Sequence, residues 1–194
     1  MSAHDNTTLW DKLAMANTDA PVEQRLAMNR LGAAILMISK GTPFWQAGEE
    51  MLRTKNGDEN SYKSSDSVNN IDWSVLSKDS AEYNMMLYYK ELIRMRRNHP
   101  AFRMATNEQV VENLNFIDSP EGTVMYTLNG QAVGDQWSEI LVIYNGNRGG
   151  VDMVFPEGDW NIVCEDAKMQ LDAPRSFKGG AFYVHGTSAI VAYK

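Results

Sequence analysis

The hydrophobic pattern of this chain changes period near Pro100, which requires two kinds of layer, one helical and one of strands. Before that point the spacing is helical. Leu26, Leu31, Ala34, Ile35 and Ile38 recur at intervals of three to five and predict a helix over Val22–Ser39. Pro21 falls near its first turn, where a missing N–H costs nothing, and Gly41 stands just past its end. A second stripe, Met85, Tyr88, Tyr89, Leu92 and Met95, predicts a helix from Ser80 to Asn98 that Pro100 terminates. Between the two helices, Thr42–Ala47 reads as a short buried strand with Pro43 at its start. The polar stretch from Gly48 to Asp79 is too long for an ordinary connection. Because it holds Tyr62, Ile71 and Trp73, it reads as a structured functional loop.

Beyond Pro100 lie 10 of the 14 glycines, as turns between short strands require. Seven strands are expected: Gln109–Asn115, Thr123–Leu128, Glu139–Tyr144, Val151–Phe155, Trp160–Cys164, Ala181–Val184 and Ala189–Tyr193. Pro120-Glu121-Gly122, Asn145-Gly146-Asn147, Pro156-Glu157-Gly158 and Gly179-Gly180 serve as breakers between them. Seven short strands at this spacing indicate an antiparallel sandwich, and the fold class is α+β.

Charge narrows the choice of partner. The net charge is −7, and residues 101–194 carry 6 basic against 12 acidic groups. Neither half offers the basic face that phosphate backbones or anionic lipids need, so nucleic acid and membrane are not expected partners. One cysteine, Cys164, allows no internal disulfide and no CxxC metal site. His4, His99 and His185 share no ligand spacing, no calcium-loop spacing is present, and neither metal nor cofactor is expected. The longest apolar run, Ala33–Ile38, is too short to span a bilayer. The opening Met1-Ser2-Ala3-His4-Asp5 has neither the basic start nor the apolar stretch of a signal peptide.

Three stretches carry side chains suited to chemistry. His4-Asp5-Asn6 opens the chain and by itself reads equally as surface turn residues. Glu49 and Glu50 are adjacent carboxylates, and adjacent residues in an extended chain point to opposite faces. A retaining glycosidase pair must converge from about 5–5.5 Å, so a supporting role suits them better. The segment from Arg53 to Trp73 supplies amides, a phenol and an indole, among them Asn60 and Tyr62. Such groups hydrogen-bond sugar hydroxyls and cover the apolar faces of pyranose rings, though they serve equally to anchor a loop.

Taken together, His-Asp-Asn-x-Thr-Leu-Trp-Asp-Lys, Gly-Thr-Pro-Phe-Trp-Gln-Ala-Gly-Glu-Glu-Met-Leu-Arg-Thr-Lys and Asn-Ser-Tyr-Lys-Ser-Ser-Asp-Ser-Val-Asn-Asn-Ile-Asp-Trp resemble type I pullulanases. These are debranching members of the α-amylase family of glycoside hydrolases. The order and spacing match over about residues 2–99, and residues 101–194 look like the family's C-terminal β-sandwich. Trp45 and Met51 are conservative departures from the pattern.

The resemblance implies that residues 1–100 are the end of a (β/α)8 barrel, with its last strand and two helices, and that residues 101–194 are the following sandwich. A complete barrel needs roughly 250 residues, more than the chain's 194. By carry-over, Asp5 would be the carboxylate that stabilises the oxocarbenium-like transition state without attacking the sugar. His4 and Asn6 would bind sugar hydroxyls, and Asn60 and Tyr62 would line the neighbouring wall. The nucleophile and general acid of the family belong to earlier strands that are absent here, so this chain alone is expected to be inactive.

The parent enzyme would hydrolyse α-1,6-glucosidic links in pullulan, amylopectin or limit dextrins, as a bacterial protein either extracellular or cytoplasmic. Whether it also cleaves α-1,4 bonds is left open. The chain's own partners would be the missing barrel portion or a second copy. A rival reading makes the sandwich a non-catalytic carbohydrate-binding or protein-interaction module. In it Trp137, Trp160, Phe182 and Tyr183 would form a sugar platform rather than fill the core.

Overall fold

A computed structural model describes residues 1–2 and 6–194. The helices are α1 (Leu9–Ala16), α2 (Val22–Ile38), the single turn α3 (Asp66–Asn69), α4 (Ala81–Asn98) and α5 (Asn107–Asn113). The strands are β1 (Leu114–Ile117), β2 (Thr123–Asn129), β3 (Glu139–Asn145), β4 (Val151–Glu165), β5 (Lys168–Met169), β6 (Arg175–Val184) and β7 (Ser188–Tyr193).

Local chemistry sets the helix ends. The hydroxyls of Thr8, Ser80 and Thr106 accept the N–H groups of Asp11, Tyr83 and Gln109, satisfying donors that the first turn leaves free. The carboxyl end of α2 has no glycine cap. Arg96 of α4, 7% exposed, donates to the carbonyls of Met37 and Ser39 at 2.7 Å, of Phe102 at 2.9 Å, and of Gly41. A guanidinium with five donors in a fixed fork can close several free carbonyls at once. Burial pushes its pKa down, and the nearby Arg103 adds to the effect.

All strand pairings are antiparallel, in the order β1-β2-β3-β7-β4-β5, with β6 also on β4. The period of two puts alternate residues of β3 and β7 into different cores. Ile140, Val142 and Val191 meet Met37, Met85, Leu92 and Phe102 of the helical half. Leu141, Ile143 and Ile190 face Phe155, Trp160, Phe182 and Val184. β3 is therefore buried on both sides, which is why its sequence Ile-Leu-Val-Ile is continuously apolar.

The second core exists because β4 bends. Its register with β6 shifts between Phe155 and Asp159, so the first half of β4 and the second half of β6 fold over β3 and β7. Both glycine-containing breakers expected here turn out to lie inside paired strands. Pro156 sits at the bulge, where no ladder N–H is required. Opposite it, a Cβ on Gly179 would come within 2.2 Å of the Pro156 carbonyl, so β6 must carry glycine at this crossing.

Three other expectations are corrected. Residues 109–113 are helical because Thr106 caps them, and the strand begins only at Leu114. The α1 helix lies within a stretch read only as a motif. Thr42–Ala47 forms no strand. Among the described residues no neighbour pairs with it, and an extended segment without a partner has no ladder.

Candidate functional site

The N-terminal segment and the loop between α2 and α4 are stitched together by polar groups. The Ser2 N–H donates to Glu49 Oε1 at 2.7 Å, while Ser2 Oγ accepts the Leu9 N–H at 2.8 Å. The Asn6 N–H donates to the Glu59 carbonyl at 3.0 Å. Asp11, 7% exposed in the first turn of α1, accepts the Thr54 hydroxyl and, at 2.8 Å, the Lys55 N–H. A carboxylate there also faces the positive end of the helix dipole. These ties hold residues 49 to 59 against the start of the chain.

The rest of the loop is organised around Asn69. Its Oδ1 accepts the Ser61 hydroxyl at 2.9 Å, and its Nδ2 donates to the carbonyls of Ser61 at 2.7 Å and Ser64 at 3.1 Å. Lys55 Nζ donates to Ser61 Oγ at 2.6 Å, and Arg53 bridges the carbonyls of Ala47 and Asn69. The Ser64 hydroxyl, and after it the Asn60 N–H, hold the Asp58 carboxyl below its ordinary pKa. Between α1 and this loop opens a cleft of about 400 Å³, whose walls include Trp10, Arg53, Asn56, Asn70 and Asp72.

Of the residues singled out from sequence, His4 and Asp5 lie outside the described residues. Asn6 is exposed at φ 132°, an uncommon conformation that Asn tolerates better than most residues, and its Oδ1 accepts the Thr7 N–H at 2.8 Å. Asn60 is exposed, next to the Glu59 carbonyl that binds Asn6. Tyr62 is 75% exposed on the short turn Ser61–Lys63, with Lys63 Nζ 5.2 Å from its ring centre. The fold therefore brings Asn6 to the Asn60 turn and leaves Asn60 and Tyr62 facing solvent.

Glu49 and Glu50 occupy a 3-10 turn and hold backbone in place. Glu49 is buried against Ser2, and Glu50 Oε2 accepts the Gly48 N–H at 3.0 Å. Asp11 and Asn69 lie inside the candidate stretches without a role assigned from sequence, and Arg96 was not singled out, although Thr8-x-x-Asp11 at the start of an apolar helix is a recognisable capping pattern.

The four aromatics of the rival platform are not together on the surface. Trp137 is stacked between His99 at 3.5 Å and Tyr193 at 4.3 Å. Trp160 and Phe182 lie in the second core, and of the four Tyr183 alone is exposed. Among the described residues no three His, Cys, Asp or Glu side chains are grouped to hold a metal ion, and no helix is long and apolar enough to cross a membrane.

The family pattern described as the pullulanase all-beta domain matches residues 110–168, from within α5 to the start of β5. The pullulanase of Bacillus subtilis (strain 168) is 31% identical over 194 residues, covering 100% of this chain and 26% of that protein. A structure of the pullulanase from Bacillus acidopullulyticus superposes with a TM-score of 0.93 at 38% identity, covering 100% of this chain and 23% of that one. Over its whole length this chain is similar to part of a pullulanase.

The pullulanase of Anoxybacillus sp. LM18-11, solved in complex with maltotetraose, is 31% identical with a TM-score of 0.87, over 100% of this chain and 27% of that one. The chain spans about a quarter of the length of the relatives it matches.

Proposed function

We propose that this chain is the C-terminal portion of a pullulanase-type glycoside hydrolase that cleaves α-1,6-glucosidic links in branched α-glucans with retention. The observation that carries the reading is the superposition of the whole chain on a quarter of a pullulanase. Maltotetraose bound by the Anoxybacillus relative supports an α-glucan as the ligand.

In this reading residues 1–100 are the end of the catalytic barrel and residues 101–194 the β-domain behind it. Asp5 stabilises the oxocarbenium-like transition state, with His4 and Asn6 on the hydroxyls of the same sugar and Asn60 and Tyr62 on the adjoining wall. Support comes from the ties through Ser2, Asn6 and Asp11, which bring the N-terminal segment and the Asn60 turn to one place. The nucleophile and general acid lie on the absent part of the barrel, so the chain alone is inactive. The unpaired segment 42–47, with Phe44 73% exposed, and an apolar hollow of about 490 Å³ beside it support this incompleteness. Trp45, Met86, Tyr89 and Ile93 line that hollow, where the remaining barrel or a second copy of the chain would seat.

Purified chain incubated with pullulan should release no maltotriose, and release would overturn the assignment of the reacting carboxylates to the absent part. In the longer protein, Asp5→Asn should lower kcat by about 10²–10³ with KM little changed, as for loss of a group acting only in the transition state. An unchanged kcat would remove Asp5 from the mechanism.

A further inference from the structure

The sequence holds three Asn-Gly pairs, at 56–57, 129–130 and 145–146, and the fold treats them very differently. In such a pair the glycine, lacking a side chain, leaves its amide nitrogen open to approach the neighbouring side-chain carbonyl.

Asn145-Gly146 is locked. Asn145 is fully buried, and its Nδ2 donates to the carbonyls of Gly149 at 3.1 Å, Val184 at 3.3 Å and His185 at 3.0 Å. Its Oδ1 accepts the Asn147 N–H at 3.0 Å, and the Gly146 N–H is committed to the Gly122 carbonyl at 2.9 Å. Neither reacting atom can move without breaking the end of β3. Asn129-Gly130 is held less tightly, with Asn129 Oδ1 accepting the Ala132 N–H at 3.1 Å. Asn129 also pairs with Glu139 in the ladder, and Gly130 lies so close to the Trp137 carbonyl that a Cβ would stand 2.0 Å from it.

Asn56-Gly57 has none of these restraints. Asn56 is exposed in a turn with both residues at positive φ, 56° and 78°. Among the described residues its side-chain amide has no hydrogen-bond partner, and the Gly57 N–H has no backbone acceptor. The Asn56 backbone N–H donates to Thr54 Oγ1 at 2.9 Å, the hydroxyl that itself binds Asp11.

We infer that Asn56 is a site of self-catalysed covalent modification, converting to aspartate and isoaspartate through a cyclic imide with Gly57. The Gly57 nitrogen attacks Asn56 Cγ, and the bond from Cγ to the side-chain nitrogen breaks. Ammonia leaves with the proton that was on the Gly57 nitrogen. Water then adds to either carbonyl of the five-membered imide, giving a carboxylate and reforming an ordinary peptide bond or one routed through the side chain. No electrons are exchanged. Each conversion adds one negative charge to a loop that already carries Asp58 and Glu59. The isoaspartyl product also lengthens the backbone by one carbon beside the Thr54–Asp11 contact. Ageing thus acts on the tie that holds the loop to α1.

The test is incubation of the folded chain at mildly alkaline pH, followed by peptide mapping of the mass gain and of isoaspartate at each of the three pairs. Conversion at Asn56 should run at least about ten times faster than at Asn145, because reaction at the latter requires local unfolding first. The same mapping in urea supplies the unrestrained rates, which should converge across the three sites. Equal rates at Asn56 and Asn145 in the folded chain would overturn the inference. So would an Asn56 that stays intact when folded while reacting in urea. In Asn56→Gln the acidic species seen on ion exchange should be lost, and their persistence at undiminished yield would place the modification elsewhere.

Discussion

Asn145, at the end of β3, and Asp11, in the first turn of α1, each gather polar groups from distant parts of the chain, but on opposite kinds of support. Around Asn145 the sheet is already fixed by ladders on both sides of β3 and by apolar cores on both faces. Around Asp11 the loop from Gly48 to Asp79 has no ladder among the described residues, and its outer residues are exposed. There a few side-chain hydrogen bonds carry most of the ordering. The contrast teaches where plasticity resides, since regions with few buried apolar contacts open at low free energy.

Four substitutions sharpen or break this comparison. Asn145→Ala should have the largest effect, about 3 kcal/mol, because a fully buried amide is lost and three carbonyls, the Val184 one buried, and one N–H lose their partner together. Urea unfolding measures it, and a loss below about 1 kcal/mol would mean that water replaces the amide. Asp11→Ala should cost about 2 kcal/mol locally, seen as faster amide exchange over residues 53–60 with β3 and β7 unchanged. Equal loss of protection in loop and sheet would erase the distinction between the two supports.

Lys40→Met should instead stabilise the fold, by about 1–2 kcal/mol at neutral pH. The Lys40 ammonium nitrogen is enclosed without a hydrogen-bond partner among the described residues, and burial, aided by Arg96, pushes its pKa down to about 8. A depressed lysine is costly while both folded and unfolded states carry the proton. The advantage of methionine should therefore be full below pH 8 and fade as pH rises from about 8 toward 10.5. A gain that is flat with pH would point to packing instead. Smallest of all, Tyr62→Ala should shift stability by less than about 0.5 kcal/mol, as expected for an exposed side chain. A larger thermal shift would show that the ring anchors the loop.

The same contrast explains what could be read from the sequence. The stripe of α4 was legible because each of Met85, Tyr88, Tyr89, Leu92 and Met95 answers to one period, and all five are buried. The central strands β2, β3 and β7 were legible for the same reason. The helix α5 was misread as a strand because its two valines suggest extended chain. The cap from Thr106 to Gln109 and the return bond from Ala105 to Gln109 outweigh them. The break expected at Pro156–Gly158 is a bend within one strand, since residues near 180 pair across it and sequence does not reveal pairing.

In the candidate site, the residue types of the loop were legible, but their ties were not. Asp11 and Thr54 are 43 residues apart, and Ser2 and Glu49 are 47 apart. Periodicity carries no information over such distances, and only the fold brings those groups together.

The bend in β4 has one more consequence. Because the same backbone ribbon runs through both layers of the β-domain, neither layer can be shed as a separable module. A single cleavage or insertion between Phe155 and Asp159 would detach the first half of β4 from the ladder to β7. The β-domain is thus expected to be lost in one cooperative step, with its weakest link at a proline and a glycine rather than at either edge.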